Sequence, residues 1–167
     1  MFFIISGTLI ALRLFFISNT LLIDDEAYYA MYARHLSWGY VDHGPVIAYL
    51  IRLFTIFGEN SFTVRLGALT LLIMLTVFLY RFGKTYFNEA TGIIMSLGVS
   101  ANILFHTNAV VITPDVPLAF FTILAIIYYY KAYFIDAKYL YAAGVFLGLA
   151  VLSTVSALFP AVGIILF

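Results

Sequence analysis

Five apolar stretches alternate along the chain with short polar connections and one long one. They run over Met1–Ile23, Phe62–Tyr80, Ala90–Phe105 and Val116–Phe134, then from Tyr139 to Leu152 and on through Ser153–Ser156 into Ala157–Phe167. A helix crossing a bilayer takes roughly 20 apolar residues. The pattern therefore predicts an all-α membrane protein, a polytopic bundle of about five transmembrane helices. Arg13 interrupts the first stretch, where a cation is costly unless it snorkels or faces a polar cavity. That stretch has no basic start and no small-residue cleavage pattern, so it reads as a span and not as a secretory signal.

The long connection carries its own periodicity. Ala27–Leu36 is a helical pattern rich in tyrosine (Tyr28, Tyr29, Tyr32) that ends at Trp38-Gly39-Tyr40. Pro45 opens a second stretch, with Ile47, Leu50, Leu53, Phe54 and Phe57 at helical spacing. Tyr and Trp favour the membrane–water boundary, and amphipathic helices of this kind lie in its plane. Two in-plane helices over about 24–60, after the first span, are expected within a single transmembrane domain, 1–167.

Composition narrows the class. The chain is 65% hydrophobic and 10% charged, with mean hydropathy +1.09, whereas a soluble domain carries about a quarter of its residues as charges. Eight basic residues balance eight acidic ones, which gives no electrostatic footprint for nucleic acid. The absence of cysteine excludes disulfides and thiolate chemistry. The three lysines, Lys84, Lys131 and Lys138, fall in two short connections, which the positive-inside rule makes cytoplasmic. The opposite face then holds six of the eight carboxylates (Asp24, Asp25, Glu26, Asp42, Glu59, Asp115) and all three histidines (His35, His43, His106). The chemistry is expected there, outside the cytoplasm.

Four boxes stand out on that face: Asp24-Asp25-Glu26-Ala27-Tyr28-Tyr29; Trp38-Gly39-Tyr40-Val41-Asp42-His43-Gly44-Pro45; Phe57-Gly58 through Val64-Arg65; and Thr113-Pro114-Asp115. In order and in topological place they resemble the polyprenyl-phosphate-sugar-dependent glycosyltransferases of the GT-C superfamily. The likeness is to the dolichyl-phosphate-mannose–protein mannosyltransferase family, and within it to the bacterial branch that includes the aminoarabinose transferase of lipid A. The chain resembles the N-terminal part of such an enzyme, and it ends inside an apolar run, Gly163–Phe167. The remaining C-terminal half is an expected partner.

The resemblance implies transfer of a sugar from a polyprenyl-phosphate donor to a protein hydroxyl, lipid A or an envelope glycan. The reaction would be inverting, on the outer face of a bacterial inner membrane. Asp25 with Glu26 would be catalytic, Asp25 as base; His43, Arg65, Arg13 and Tyr29 would meet substrate or phosphate; Asp42 and Asp115 would be metal ligands. Oxygen and imidazole donors suit Mg²⁺, Mn²⁺ or Zn²⁺ without choosing among them.

The chemistry is consistent with these residue types. One carboxylate deprotonates the acceptor, and a phosphate leaving group needs positive charge, not a proton; Arg13, His43, Arg52 and Arg65 are the cations at hand. Simpler roles compete. Asp25 is also placed to cap the helix that follows, Asp42 to make a turn, and Thr113-Pro114-Asp115 to start a span. Asp24 competes with Asp25 for the base. A non-catalytic or split-gene remnant and a transporter-like bundle are the other functional readings. Two positions depart from the family pattern: Gly44, where Pro is usual, and Thr154, where Leu-Ser-Lys-Tyr would place a lysine.

Overall fold

The computed structural model describes residues 2–102, 107 and 110–166. Among these residues every regular element is helical: α1 (Phe2–Asn19), α2 (Asp24–Arg34), α3 (Val46–Thr55), α4 (Ser61–Tyr86), α5 (Glu89–Ala101), α6 (Asp115–Phe134), α7 (Tyr139–Val151) and α8 (Leu158–Leu166), with a 3₁₀ turn at Val155–Ala157. The protein is an all-α membrane bundle, as its pattern predicts. Two helices, α4 and α6, are each long and apolar enough to cross a bilayer. A third crossing arises if α1 and α2, bent by 80° at the break between them, are counted together. The other apolar stretches form shorter helices, and the Ser153–Ser156 segment breaks the last of them in two.

Local chemistry explains the boundaries. Asn60 caps α4: its side chain accepts from the Thr63 N–H at 2.9 Å, while the Thr63 hydroxyl accepts from the Asn60 N–H at 3.0 Å. Gly58 precedes that cap with φ +148°, a backbone conformation that favours glycine. Asn88 caps α5 in the same way, through the Thr91 N–H at 2.8 Å. Pro45 and Pro114 stand immediately before α3 and α6, with φ −77° and −59° already helical. The α2 helix opens at Asp24, with Ile23 in the cap position. Asp25 therefore lies inside the first turn and is not the cap, because the helix starts earlier than the pattern suggests. Likewise Thr113 makes no side-chain cap: its hydroxyl is buried without a hydrogen-bond partner.

The core is built around α4. Ala30 and Ala33 of α2, Ile47, Ala48 and Ile51 of α3, Val64, Ala68 and Leu75 of α4, and Phe120 and Leu124 of α6 form one buried cluster. The α3 helix is rotated from the expected phase. Ile47, Ala48, Ile51 and Thr55 are buried, whereas Leu53 and Phe57 face outward. The exposed face mixes Leu53 with Tyr49 and Arg52, so apolar residues at helical spacing do not by themselves select the face that packs. Helices α4 and α5 touch at Gly83 and Gly92, where a Cβ on Gly83 would lie 2.6 Å from the Gly92 Cα. Small residues permitting close approach are the usual device of helix pairs in lipid.

The two ends of the bundle differ. At one, the Lys131 ammonium lies over the rings of Tyr128 (4.7 Å), Tyr86 and Tyr139 (both 5.8 Å). The two lysine connections thus meet at one end. Arg65 lies near the other end of α4, about 30 Å away at 1.5 Å per residue.

Candidate active site

At that other end the four sequence boxes come together. Glu26 and Arg65, 0% and 2% exposed, form a bidentate ion pair: Arg65 Nε donates to Oε1 at 2.7 Å and Nη2 to Oε2 at 2.5 Å. The rest of the guanidinium donates to the Thr20 hydroxyl (2.6 Å), the Thr20 carbonyl (3.0 Å) and the Leu21 carbonyl (2.7 Å). Glu26 also accepts from the N–H groups of Ile112 at 3.0 Å and Ile23 at 3.1 Å. The pair joins the end of α1, the start of α2, α4 and the approach to α6. All five donors of Arg65 and both oxygens of Glu26 are engaged, which leaves neither free for substrate.

The Asp42-His43 turn docks on the tyrosines of α2. The Tyr32 hydroxyl donates to the Tyr28 hydroxyl, which donates to Asp42 Oδ2 at 2.8 Å. The Tyr32 and Tyr40 rings stack at 3.8 Å, and the Tyr40 hydroxyl donates to the Tyr32 carbonyl at 3.0 Å. The hydrogen bonds to Tyr32 and Asp42 push the Tyr28 phenol well above its ordinary pKa, so it remains a donor. Tyr29 Oη lies 3.3 Å from His43 Nε2, with the two rings edge to face. Which of the two donates depends on the imidazole tautomer; His43 Nδ1 is buried and has no partner among the described residues.

Tyr29 locates the carboxylates. Burial pushes its phenol pKa up, and the negative charges of Asp25, Asp115 and Asp42 add to the shift. Three acids from three separate boxes therefore lie within electrostatic reach of one hydroxyl. Asp25 and Asp115 are exposed in the first turns of α2 and α6, where helix dipoles favour a negative charge. Sequence reasoning brought Asp25, His43, Tyr29, Asp42 and Asp115 forward, and all five are found here. It passed over Tyr28, Tyr32 and Tyr40 as interfacial aromatics, although Tyr28 and Tyr32 stand one helical turn apart on α2, the spacing that puts their hydroxyls together.

Other expectations fall elsewhere. Arg13 is buried between spans and donates from Nη2 to the Ser100 carbonyl at 2.5 Å, apart from this cluster. His106, expected on the same face as Asp115, lies outside the described residues. Among the described residues no three His, Asp or Glu side chains gather as a metal site. Asp42 accepts from the Tyr28 hydroxyl through Oδ2, and Asp115 is exposed at the start of α6.

Next to the His43 turn runs an open apolar groove of about 480 Å³, lined by Trp38, Pro45, Tyr49, Leu53, Phe121 and Leu152 among others. Gly44 touches the backbone of Leu152, and Thr154 beyond it is buried. The two departures from the family pattern are thus on either side of one contact.

The profile of the dolichyl-phosphate-mannose-protein mannosyltransferase family matches residues 42–167. No curated protein and no solved structure is significantly similar to the chain. The matched range includes His43, Arg65 and Asp115 and starts after the Asp25 box. With well over half its length matched, the chain belongs to this family, whose membership makes it a membrane glycosyltransferase of the GT-C type.

Proposed function

From that membership, we propose that the protein moves a sugar from a polyprenyl-phosphate-linked donor to a hydroxyl acceptor, with inversion, on the outer face of a bacterial inner membrane. The observation carrying this reading is that Asp25, Asp42 and Asp115 all lie within electrostatic reach of Tyr29, whose hydroxyl meets His43. Asp25 is the base. Asp24 and Asp25 are both exposed, but Asp25 is the one whose charge acts on the Tyr29 phenol, whereas Glu26 is consumed by Arg65. The acceptor oxygen attacks the anomeric carbon as its proton passes to the Asp25 carboxylate. The carbon–oxygen bond to phosphate breaks, and the phosphate leaves with the electron pair. His43, whose buried Nδ1 is unpartnered among the described residues, meets a phosphate oxygen in the tautomer that carries the proton there, with Tyr29 holding the ring at Nε2. The apolar groove beside the turn accommodates the isoprenoid chain. We assign Glu26 and Arg65 to structure, and no step runs through a metal.

A non-catalytic member of the family is the second reading. It draws on the buried Thr154 at the position where the family pattern has lysine. The test is donor turnover. Proteoliposomes holding the whole protein, given a radiolabelled polyprenyl-phosphate sugar and membrane acceptors, should release polyprenyl phosphate and label an acceptor. An intact donor under conditions where a catalytic relative turns over would overturn the enzyme reading in favour of the second.

A further inference from the structure

A second cavity lies in the membrane-spanning part of the bundle, between α1, α4 and α5. It measures about 240 Å³ and is lined by Ser6, Arg13, Ile73, Thr76, Val77 and Ser100 among others. It shares no lining residue with the groove beside His43. Arg13 is 1% exposed, and its Nε has no hydrogen-bond partner. The Ser6 hydroxyl on the same wall is also buried and unpartnered. All eight carboxylates of the chain lie among the described residues, and none forms an ion pair with Arg13. Its one bonded acceptor is the neutral Ser100 carbonyl.

A buried charge without a counter-ion is expensive. The missing negative charge must come from outside the chain. Beside Arg13 and Ser6 the wall continues as the apolar side chains of Ile73 and Val77, a surface that suits an acyl chain. Arg13 stands six residues before the end of α1, about 9 Å along the helix. That depth is within reach of a lipid headgroup. A planar guanidinium with a free donor is suited to phosphate.

We propose that this cavity binds one anionic glycerophospholipid, its phosphate on Arg13 and the Ser6 hydroxyl, its acyl chain against Ile73 and Val77. The site is separate from the donor phosphate site at His43 and serves to neutralise Arg13 and hold α1 to α4 and α5.

The test reads lipid retention, which is independent of sugar transfer. The full chain is released into mild detergent with phosphatidylglycerol and phosphatidylcholine in equal amounts and weighed by native mass spectrometry. One phosphatidylglycerol per chain should be retained, at least tenfold over phosphatidylcholine. Arg13→Gln should abolish that preference. Ile73→Trp, which fills the cavity and keeps Arg13, should also abolish it and carries the test if Arg13→Gln does not fold. Arg34→Gln, an exposed cation lost elsewhere, should leave it unchanged. Equal retention of both lipids by the unaltered chain, or unchanged preference in Ile73→Trp, would overturn the proposal. So would stoichiometric displacement by a polyprenyl phosphate, which would give the cavity to the donor.

Discussion

Gly44 and Leu152 meet backbone to backbone: a Cβ placed on Gly44 would lie 1.7 Å from the Leu152 carbonyl oxygen and 2.4 Å from its carbon. No side-chain adjustment relieves such a clash, because the obstacle is main chain. The α7–α8 junction is therefore seated directly on the His43 turn, with Ser153 and Thr154 buried beneath it. A proline at 44 and the observed position of Leu152 are incompatible.

Gly44→Ala should displace this junction. Overpacking of this kind costs about 1–3 kcal/mol, so thermal melting in detergent should fall by several degrees. A melting curve identical to that of the unaltered chain would show that the junction is not seated on Gly44.

The Glu26–Arg65 pair yields a sharper prediction. Breaking a buried ion pair by removing one partner costs about 3–5 kcal/mol, because the other charge is stranded. Glu26→Gln and Arg65→Gln should each lose most folded protein, measured by monodisperse yield. The double substitution should be less damaging than the sum of the singles. If Arg65→Gln instead folds normally and loses only donor affinity, Arg65 is a phosphate ligand and not a pin.

Much of this end of the molecule is legible in the sequence, for physical reasons that can be named. Asn60 and Asn88 are caps by chemistry, Gly58 marks a turn, and α4 and α6 are legible as spans because their apolar runs are long. The Glu26–Arg65 pairing is not legible, since its partners are 39 residues apart and both also suit catalysis. The same holds for Gly44 and Leu152, whose contact exists only after the five described helices between them, α3 to α7, have packed. The phase of α3 is hidden because Leu53 shares its exposed face with Tyr49 and Arg52, and the start of α2 because three acids in a row all suit a helix N-terminus.

Arg34 and Glu59 form an exposed bidentate pair, with Arg34 Nη2 2.7 Å from Glu59 Oε1 and Nε 2.9 Å from Oε2. The hydrogen bond from Arg34 holds the Glu59 carboxyl below its ordinary 4.5. A depressed acid stabilises the fold above its unfolded pKa, and that contribution disappears as pH falls through the folded value. The pair should therefore stabilise fully above about pH 4.5 and lose its effect in more acid solution. Melting temperatures of the unaltered chain and Glu59→Gln should differ slightly at pH 7 and converge as pH drops below 4, with a smaller gap in high salt. A gap that persists at pH 3 would contradict this.

Trp38 is the single tryptophan and is 92% exposed, near Val41 at 98%. On a turn between in-plane helices such side chains belong among lipid headgroups. In vesicles its emission should be blue-shifted and quenched by lipids brominated near the headgroup, but little affected by aqueous iodide. Strong iodide quenching would place the turn in water and remove the in-plane arrangement of α2 and α3.

The assignment of the base rests on Asp25. Because α2 opens at Asp24 with Ile23 in the cap position, Asp25 has no capping duty to lose. Asp25→Asn keeps the shape and removes the lone pair that takes the acceptor's proton. Folding, membrane insertion and retention of a non-transferable donor analogue should remain near normal. Transfer should fall by roughly two to four orders of magnitude, the range for a positioned base. Asp42→Asn and Asp115→Asn provide the comparison, since both acids also lie within electrostatic reach of Tyr29. If Asp25 is the base, its substitution costs the most. Should Asp25→Asn retain full transfer while Asp115→Asn abolishes it, proton abstraction belongs at the start of α6 and the mechanism proposed for Asp25 is wrong.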